Sequence, residues 1–173
     1  MMRGGKITEA IDFAKEAHKG QVRKYTGEEY YTHPLEVARI LFKHVPSISQ
    51  EALVAAVLHD TVEDTATTIE DIKELFGEKV SVFVDFLSDI SVPEDGNRAK
   101  RKAIDRLHIA GAPVEVKSIK LADLIHNTQT IVEHDRDFAT VYMKEKMLLL
   151  EVLKCGDSVL FSMASKQVED YYS

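Results

Sequence analysis

Residues 52–64 read ALVAAVLHDTVED. The first seven are apolar without interruption, and a helix that is apolar on every side belongs in an interior. His59, Asp60, Glu63 and Asp64 then follow in quick succession. In a helix unbroken over 52–64, His59 stands over Glu63 and Asp60 over Asp64, because residues four apart share a face. Charged groups beside an apolar core are costly unless they are paired or bound. Neutral imidazole together with carboxylate is a ligand set for a divalent cation. The second acidic pair, one turn on, stands where it can handle a metal-bound water. The stretch therefore sets a core helix and a chemical hypothesis, and other segments must supply further ligands and the grip on a substrate.

Upstream, Ser49 is a natural N-cap for this helix. Before it, PLEVARILFKH (34–44) reads as a helix with Pro34 at the first helical position and Thr32 or His33 as its cap. Val37, Ile40 and Leu41 face inward, and His33 is fixed at a helix entrance. QVRKYTGEEYYT (21–32) is a loop turning at Gly27 and carrying Arg23 and Lys24. Residues 7–21 form the first helix, with Thr8 near its cap and a stripe of Ile7, Ala10, Ile11, Ala14, Ala17 and His18. Downstream, Thr67 with Glu70 matches a capping box before Ile69, Ile72, Leu75 and Phe76, and Gly77 closes that helix. A helix over 78–90 turns Val80, Phe83, Val84 and Leu87 inward. A loop with Pro93 and Gly96 leads to a basic helix over 98–110. Pro113 opens PVEVKSIKLADLIHNTQTI (113–131), whose stripe is Val116, Ile119, Ala122, Asp123, His126 and Thr130. Helices over 137–155 and 157–171, joined at Cys155-Gly156, add Leu148, Leu149, Val152, Leu160, Phe161 and Met163 to the core. No segment alternates as a strand would, so the fold class is all-α.

The chain has 173 residues, 45% hydrophobic and 29% charged, which suits one soluble globular domain over 1–173. A net charge of -7 argues against nucleic acid as a partner. The single cysteine excludes an internal disulfide and fits a reducing compartment. The opening MMRGGKITEA lacks the apolar core of a signal peptide, and no apolar run reaches the length of a membrane span. A cytoplasmic protein with no membrane partner is expected. No Walker loop, GxGxxG or GxSxG is present.

A catalytic metal needs several protein ligands and an open position. His59 and Asp60 are too few. Asp123 is the best third candidate, since a carboxylate on an apolar face must be paired or bound, and His33 is the best fourth. Glu63 and Asp64 are otherwise solvated helix-end residues. His18 fits a core hydrogen bond better than ligation, and His126 fits packing or support of Asp123. Cys155 has no activating neighbour in sequence and reads as packing. The basic run over 98–106 is a solvated face or, with Arg23 and Lys24, a set of phosphate handles.

Three motifs in order, AHKGQVRKYTGEEYYTHPLEVARIL (17–41), AAVLHDTVEDT (55–65) and VKSIKLADLIHNTQT (116–130), resemble the HD-domain hydrolases of guanosine tetra- and pentaphosphate, (p)ppGpp. That family includes the hydrolase part of stringent-response synthetase/hydrolases and the small single-domain alarmone hydrolases. The resemblance implies a single-domain HD-type helical bundle that binds one Mn²⁺ through His33, His59, Asp60 and Asp123. It implies that Glu63 and Asp64 position and deprotonate the attacking water, and that Arg23, Lys24, Asn127 and Lys102 contact the substrate. The implied activity is hydrolysis of the 3′-pyrophosphate to GDP or GTP and pyrophosphate, with a small-molecule nucleotide as partner. Glu29 stands where the family usually has proline. The late region, where small hydrolases carry an arginine and a tyrosine near the nucleotide, offers Lys144 or Lys146 instead. A chain this short has no room for a synthetase or regulatory domain. Two alternatives share the scaffold: a phosphatase acting on NADPH or a nucleoside monophosphate, and a non-catalytic nucleotide-binding module.

Overall fold

The structure, a computed structural model, describes residues 5–173; Met1 to Gly4, part of the opening read for a signal peptide, lie outside the described residues. Its regular structure is helical, as the sequence indicates, with one isolated antiparallel bridge between Val22 and Glu29 among the described residues. The chain groups into two compact units that divide between Ser88 and Asp89.

The first unit is built around α3 (Gln50–Leu58). Every residue from Ala52 to Leu58 is buried. α1 (Gly5–Ala17), α2 (Thr32–His44) and α6 (Glu78–Leu87) pack against it, so its lack of a polar face is matched by neighbours on several sides. Ser49 caps it as expected, accepting the amide of Ala52 at 3.1 Å. The helix does not run to Asp64. It stops at Leu58, and Thr61–Asp64 forms a separate turn, α4. The break has a local cause. His59 Nδ1 binds the carbonyl of Ala56 at 2.8 Å and the Thr61 hydroxyl donates to the carbonyl of Leu58 at 2.7 Å. Side chains thus take over carbonyls that a continuing helix would have bonded.

Other boundaries also differ from the sequence reading. The first helix ends at Ala17 rather than Gln21, because tighter bonds from Lys19 N–H to Glu16 O and Gln21 N–H to His18 O turn the chain. α2 starts at Thr32, so His33 lies inside its first turn and neither Thr32 nor His33 is the cap. The capping box before α5 (Ile69–Phe76) is Thr68 with Asp71, not Thr67 with Glu70, and Leu75 is exposed. Gly77, at φ 99°, closes α5 and leads into α6, which ends at Leu87 instead of Ile90.

The second unit is built around α8 (Val114–His134), which α9 (Arg136–Leu153) and α10 (Ser158–Tyr172) cover, while α7 (Arg98–Ala110) packs on α9. A short 3₁₀ turn, Pro93–Asp95, precedes α7. Gly156 makes the α9–α10 corner possible: a Cβ there would lie 2.7 Å from Leu121 Cδ1 and 3.3 Å from the backbone carbon of Lys117. The corner is fastened by Asp157 N–H donating to Ser118 Oγ at 2.9 Å. The core here is Val116, Ile119, Leu121, Met143, Leu150, Leu153 and Leu160. Leu148, expected inside, is exposed. So is Cys155, which therefore has no packing role.

Candidate metal centre

In the first unit, two segments bring three ligand-bearing side chains together. His33 enters from the first turn of α2, and His59 and Asp60 come from the break after α3. Their ligand atoms all lie within 4.8 Å of one another. His33 is 1% and His59 2% exposed. His59 Nδ1 faces a carbonyl, which can only accept, so Nδ1 carries the hydrogen and Nε2 keeps its lone pair. That is the tautomer a metal requires, fixed by the bond at the other ring nitrogen. His59 Nε2 lies 3.1 Å from Asp60 Oδ1, and His33 Nε2 lies 3.6 Å from Asp60 Oδ2. Two buried imidazoles and a half-buried carboxylate, converging, fit a divalent cation by donor type and by spacing.

Glu63 and Asp64 follow on α4, both exposed. The backbone keeps Asp64 one turn beyond Asp60, through Asp64 N–H to Asp60 O at 3.0 Å. Partial burial of its carboxyl holds Asp64 above the ordinary carboxylate range, and the negative charge of Asp60 adds to this. Tyr30 is part of the same cluster. Its hydroxyl donates to Asp60 Oδ2 at 2.9 Å and also bonds the Asp64 carboxyl. Burial first, then the charges of Asp60 and Asp64, push the phenol far up, so it stays a donor. The Arg23 guanidinium lies over the Tyr30 ring, 5.9 Å from its centroid, and Lys24 lies over Tyr25. His18 is buried with Nδ1 on Gln21 Oε1 at 2.8 Å, the core hydrogen bond expected for it.

In the second unit, Asp123 is 4% exposed, on the buried face the sequence assigned it. Lys120 Nζ reaches its Oδ2 at 2.8 Å and Asn127 Nδ2 donates to its Oδ1 at 2.7 Å. Burial, then the Asp123 charge, raises the Tyr142 phenol. Lys102 is ion-paired with Asp89 at 2.5 Å. Lys144 is exposed, whereas Lys146 is wholly buried and donates to Thr128 Oγ1 at 2.9 Å and Gln167 Oε1 at 2.6 Å. Burial alone lowers its pKa to about 7.

The structure thus brings His33, His59 and Asp60 together, with Glu63 and Asp64 next along the chain and Arg23 near Tyr30; Asp123, Asn127 and Lys102 belong to the second unit. Sequence reasoning missed Tyr30 and Gln21. The one available signal was a tyrosine three positions before His33, in a loop that also carries Tyr25 and Tyr31.

The HD domain family matches residues 10–149. The chain is 43% identical over 128 residues to guanosine-3′,5′-bis(diphosphate) 3′-pyrophosphohydrolase of Aquifex aeolicus, covering 72% of this chain and 18% of that protein. It is 37% identical over 126 residues to GTP pyrophosphokinase of Streptomyces coelicolor, covering 72% and 14%. The chain therefore spans less than a fifth of the length of these curated relatives. A solved structure of a metazoan ortholog of SpoT, described as hydrolysing ppGpp, superposes with a TM-score of 0.88 at 25% identity, covering 97% of this chain and 96% of that one.

Proposed function

We propose that this chain, which belongs to the HD-domain family, removes the 3′-pyrophosphate of (p)ppGpp by hydrolysis, yielding GDP or GTP and pyrophosphate. The observation that carries the reading is the cluster of buried His33 and His59 with half-buried Asp60, and an acidic pair one turn beyond it. Two similarities support the substrate. A protein matched over almost its whole length is described as hydrolysing ppGpp, and a longer relative bears the name of the 3′-pyrophosphohydrolase. The pyrophosphokinase name belongs to a protein of which this chain covers 14%.

His33, His59 and Asp60 would hold one divalent cation, which we take to be Mn²⁺, and the sequence motif adds Asp123. Such a cation, when bound, polarises a phosphoryl oxygen and lowers the pKa of water. Glu63 and Asp64 orient the attacking water and take its proton. A carboxyl held above its ordinary range, as that of Asp64 is, is a better proton acceptor near neutral pH. Arg23 and Lys24 offset the phosphate charge; Asn127 is assigned a substrate contact from the motif, and Lys102 from its rough correspondence to a lysine of the family. The lone, exposed Cys155 is compatible with the reducing cytoplasm in which such a nucleotide is met.

The test is a product assay on the purified chain with Mn²⁺, offering ppGpp, pppGpp, NADPH and nucleoside monophosphates. Pyrophosphate from ppGpp is the expected product. Orthophosphate from NADPH or a monophosphate, with no pyrophosphate from ppGpp, overturns the reading in favour of a phosphatase. Tight ppGpp binding without turnover overturns it in favour of a binding module.

A further inference from the structure

The segment between α1 and α2 is a closed hairpin. Val22 and Glu29 bridge it, Arg23 N–H donates to Glu28 O at 2.8 Å, and Gly27 N–H donates to Arg23 O at 3.0 Å. Gly27 sits at φ 72°, a conformation that glycine adopts without strain. At the open end, Tyr30 N–H donates to Gln21 O at 3.0 Å. Gln21 and Tyr30 are therefore side by side, and both reach the segment that follows α3. Gln21 Nε2 donates to the carbonyl of Asp64 at 2.7 Å, and the Tyr30 hydroxyl donates to Asp60 Oδ2 at 2.9 Å. His18 backs both. Its ring lies against that of Tyr30 with centroids 4.8 Å apart. Because the amide nitrogen of Gln21 already serves Asp64, its oxygen receives the hydrogen of His18 Nδ1 at 2.8 Å.

We propose that Tyr30, backed by His18 and paired with Gln21, is the positioning residue that sets the plane of the Asp60 carboxylate and the reach of α4. The inference rests on the metal-centre reading above. A carboxylate can rotate about its Cβ–Cγ bond. Here Oδ2 is held by the phenol while Oδ1 is directed at His59 Nε2, 3.1 Å away. Tyr30 and Gln21 reach the Asp60 carboxylate and the Asp64 carbonyl from one hairpin, which adds to the backbone bond that keeps Asp64 one turn beyond Asp60. Groups that hold a metal ligand in this way typically contribute about 10- to 100-fold in metal affinity or activity.

The experiment is calorimetric titration of Mn²⁺ into the metal-free full chain and its variants, with thermal midpoints of the metal-free proteins and kcat and KM for ppGpp. Tyr30→Phe keeps the ring and deletes the hydroxyl. It should bind Mn²⁺ about 10- to 100-fold more weakly, melt close to the parent, and show a reduced kcat even at saturating Mn²⁺ with KM nearly unchanged. Tyr30→Leu, which also removes the ring beneath Arg23, should in addition raise KM. Gln21→Met is the companion variant should the Tyr30 variants fail to fold. It should lower kcat by about 10-fold with Mn²⁺ affinity intact. Parent-like Mn²⁺ affinity and kcat in Tyr30→Phe overturn the role of Tyr30, and the metal centre stands if Asp60→Asn still loses the ion. A parent chain that binds no Mn²⁺ brings down the centre and this inference together.

Discussion

α3 and α8 are each the apolar axis of a unit, and each carries a carboxylate at a place where hydrocarbon would be expected. They accommodate it in opposite ways. At the end of α3, His59 and Thr61 take the carbonyls of Ala56 and Leu58; the helix stops, and Asp60 leaves the axis to meet His33 from another segment. Along α8 the helix continues for 21 residues, because Asp123 is satisfied by Lys120, one turn before, and Asn127, one turn after. Local pairing at i±3 and i±4 accompanies an intact α8, even where Thr128 Oγ1 also donates to the Leu124 carbonyl at 2.6 Å, whereas the two successive captures by His59 and Thr61 coincide with the end of α3. The stop gathers side chains from distant segments, which a ligand set requires. The local pairing buries a charge at little structural disturbance.

The largest predicted effect breaks the α3 side of this contrast. His59→Ala or Asp60→Asn should abolish Mn²⁺ retention and lower ppGpp turnover by roughly 10³-fold or more, measured as metal content after desalting and pyrophosphate release. Glu63→Gln should keep the ion and lose most of the turnover. On α8, Asp123→Asn preserves an acceptor for Lys120 and removes the charge. Its Mn²⁺ affinity should fall by at least roughly 10-fold with little change in melting. An unchanged affinity would confine the role of Asp123 to its own helix. Lys146 sharpens the same point, since it leans on α8 through Thr128 and its ammonium donates to two neutral oxygens, Thr128 Oγ1 and Gln167 Oε1. Its folded pKa, about 7, lies below the ordinary 10.5. Between those values the unfolded chain binds the extra proton, so stability rises with pH across that window, by at most about 1.4 kcal/mol per pH unit. Thermal melts at pH 7 and pH 9 should show a positive slope that Lys146→Met loses. The smallest effect is expected for Thr61→Val, which should cost about 1 kcal/mol in denaturant unfolding by releasing the Leu58 carbonyl.

The fold class and the order of helices were legible because 52–58 offers no polar face and because periodic apolar residues separate at glycine and proline. The break at His59 was not legible. The same letters would extend a helix if the side chains pointed outward, and only the geometry shows His59 and Thr61 turning back onto carbonyls. The capping box slipped by one residue because Thr67-Glu70 and Thr68-Asp71 both satisfy the spacing. Leu148 was misplaced because the run Leu148-Leu149-Leu150 fits more than one register. The convergence of His33 with His59 and Asp60 was anticipated from motif order and is present in the first unit. The bond from Tyr30 to Asp60 was not legible, since no spacing rule links residues thirty positions apart.

Cys155 stands exposed at the α9–α10 corner and is the chain's sole cysteine. No thiol within the same molecule can quench it. Stored in air without reductant, two copies can be oxidised by dioxygen to a disulfide between their corners. Kept reduced, that corner is a single addressable handle for a dye or spin label in the second unit, remote in sequence from every residue assigned to the chemistry.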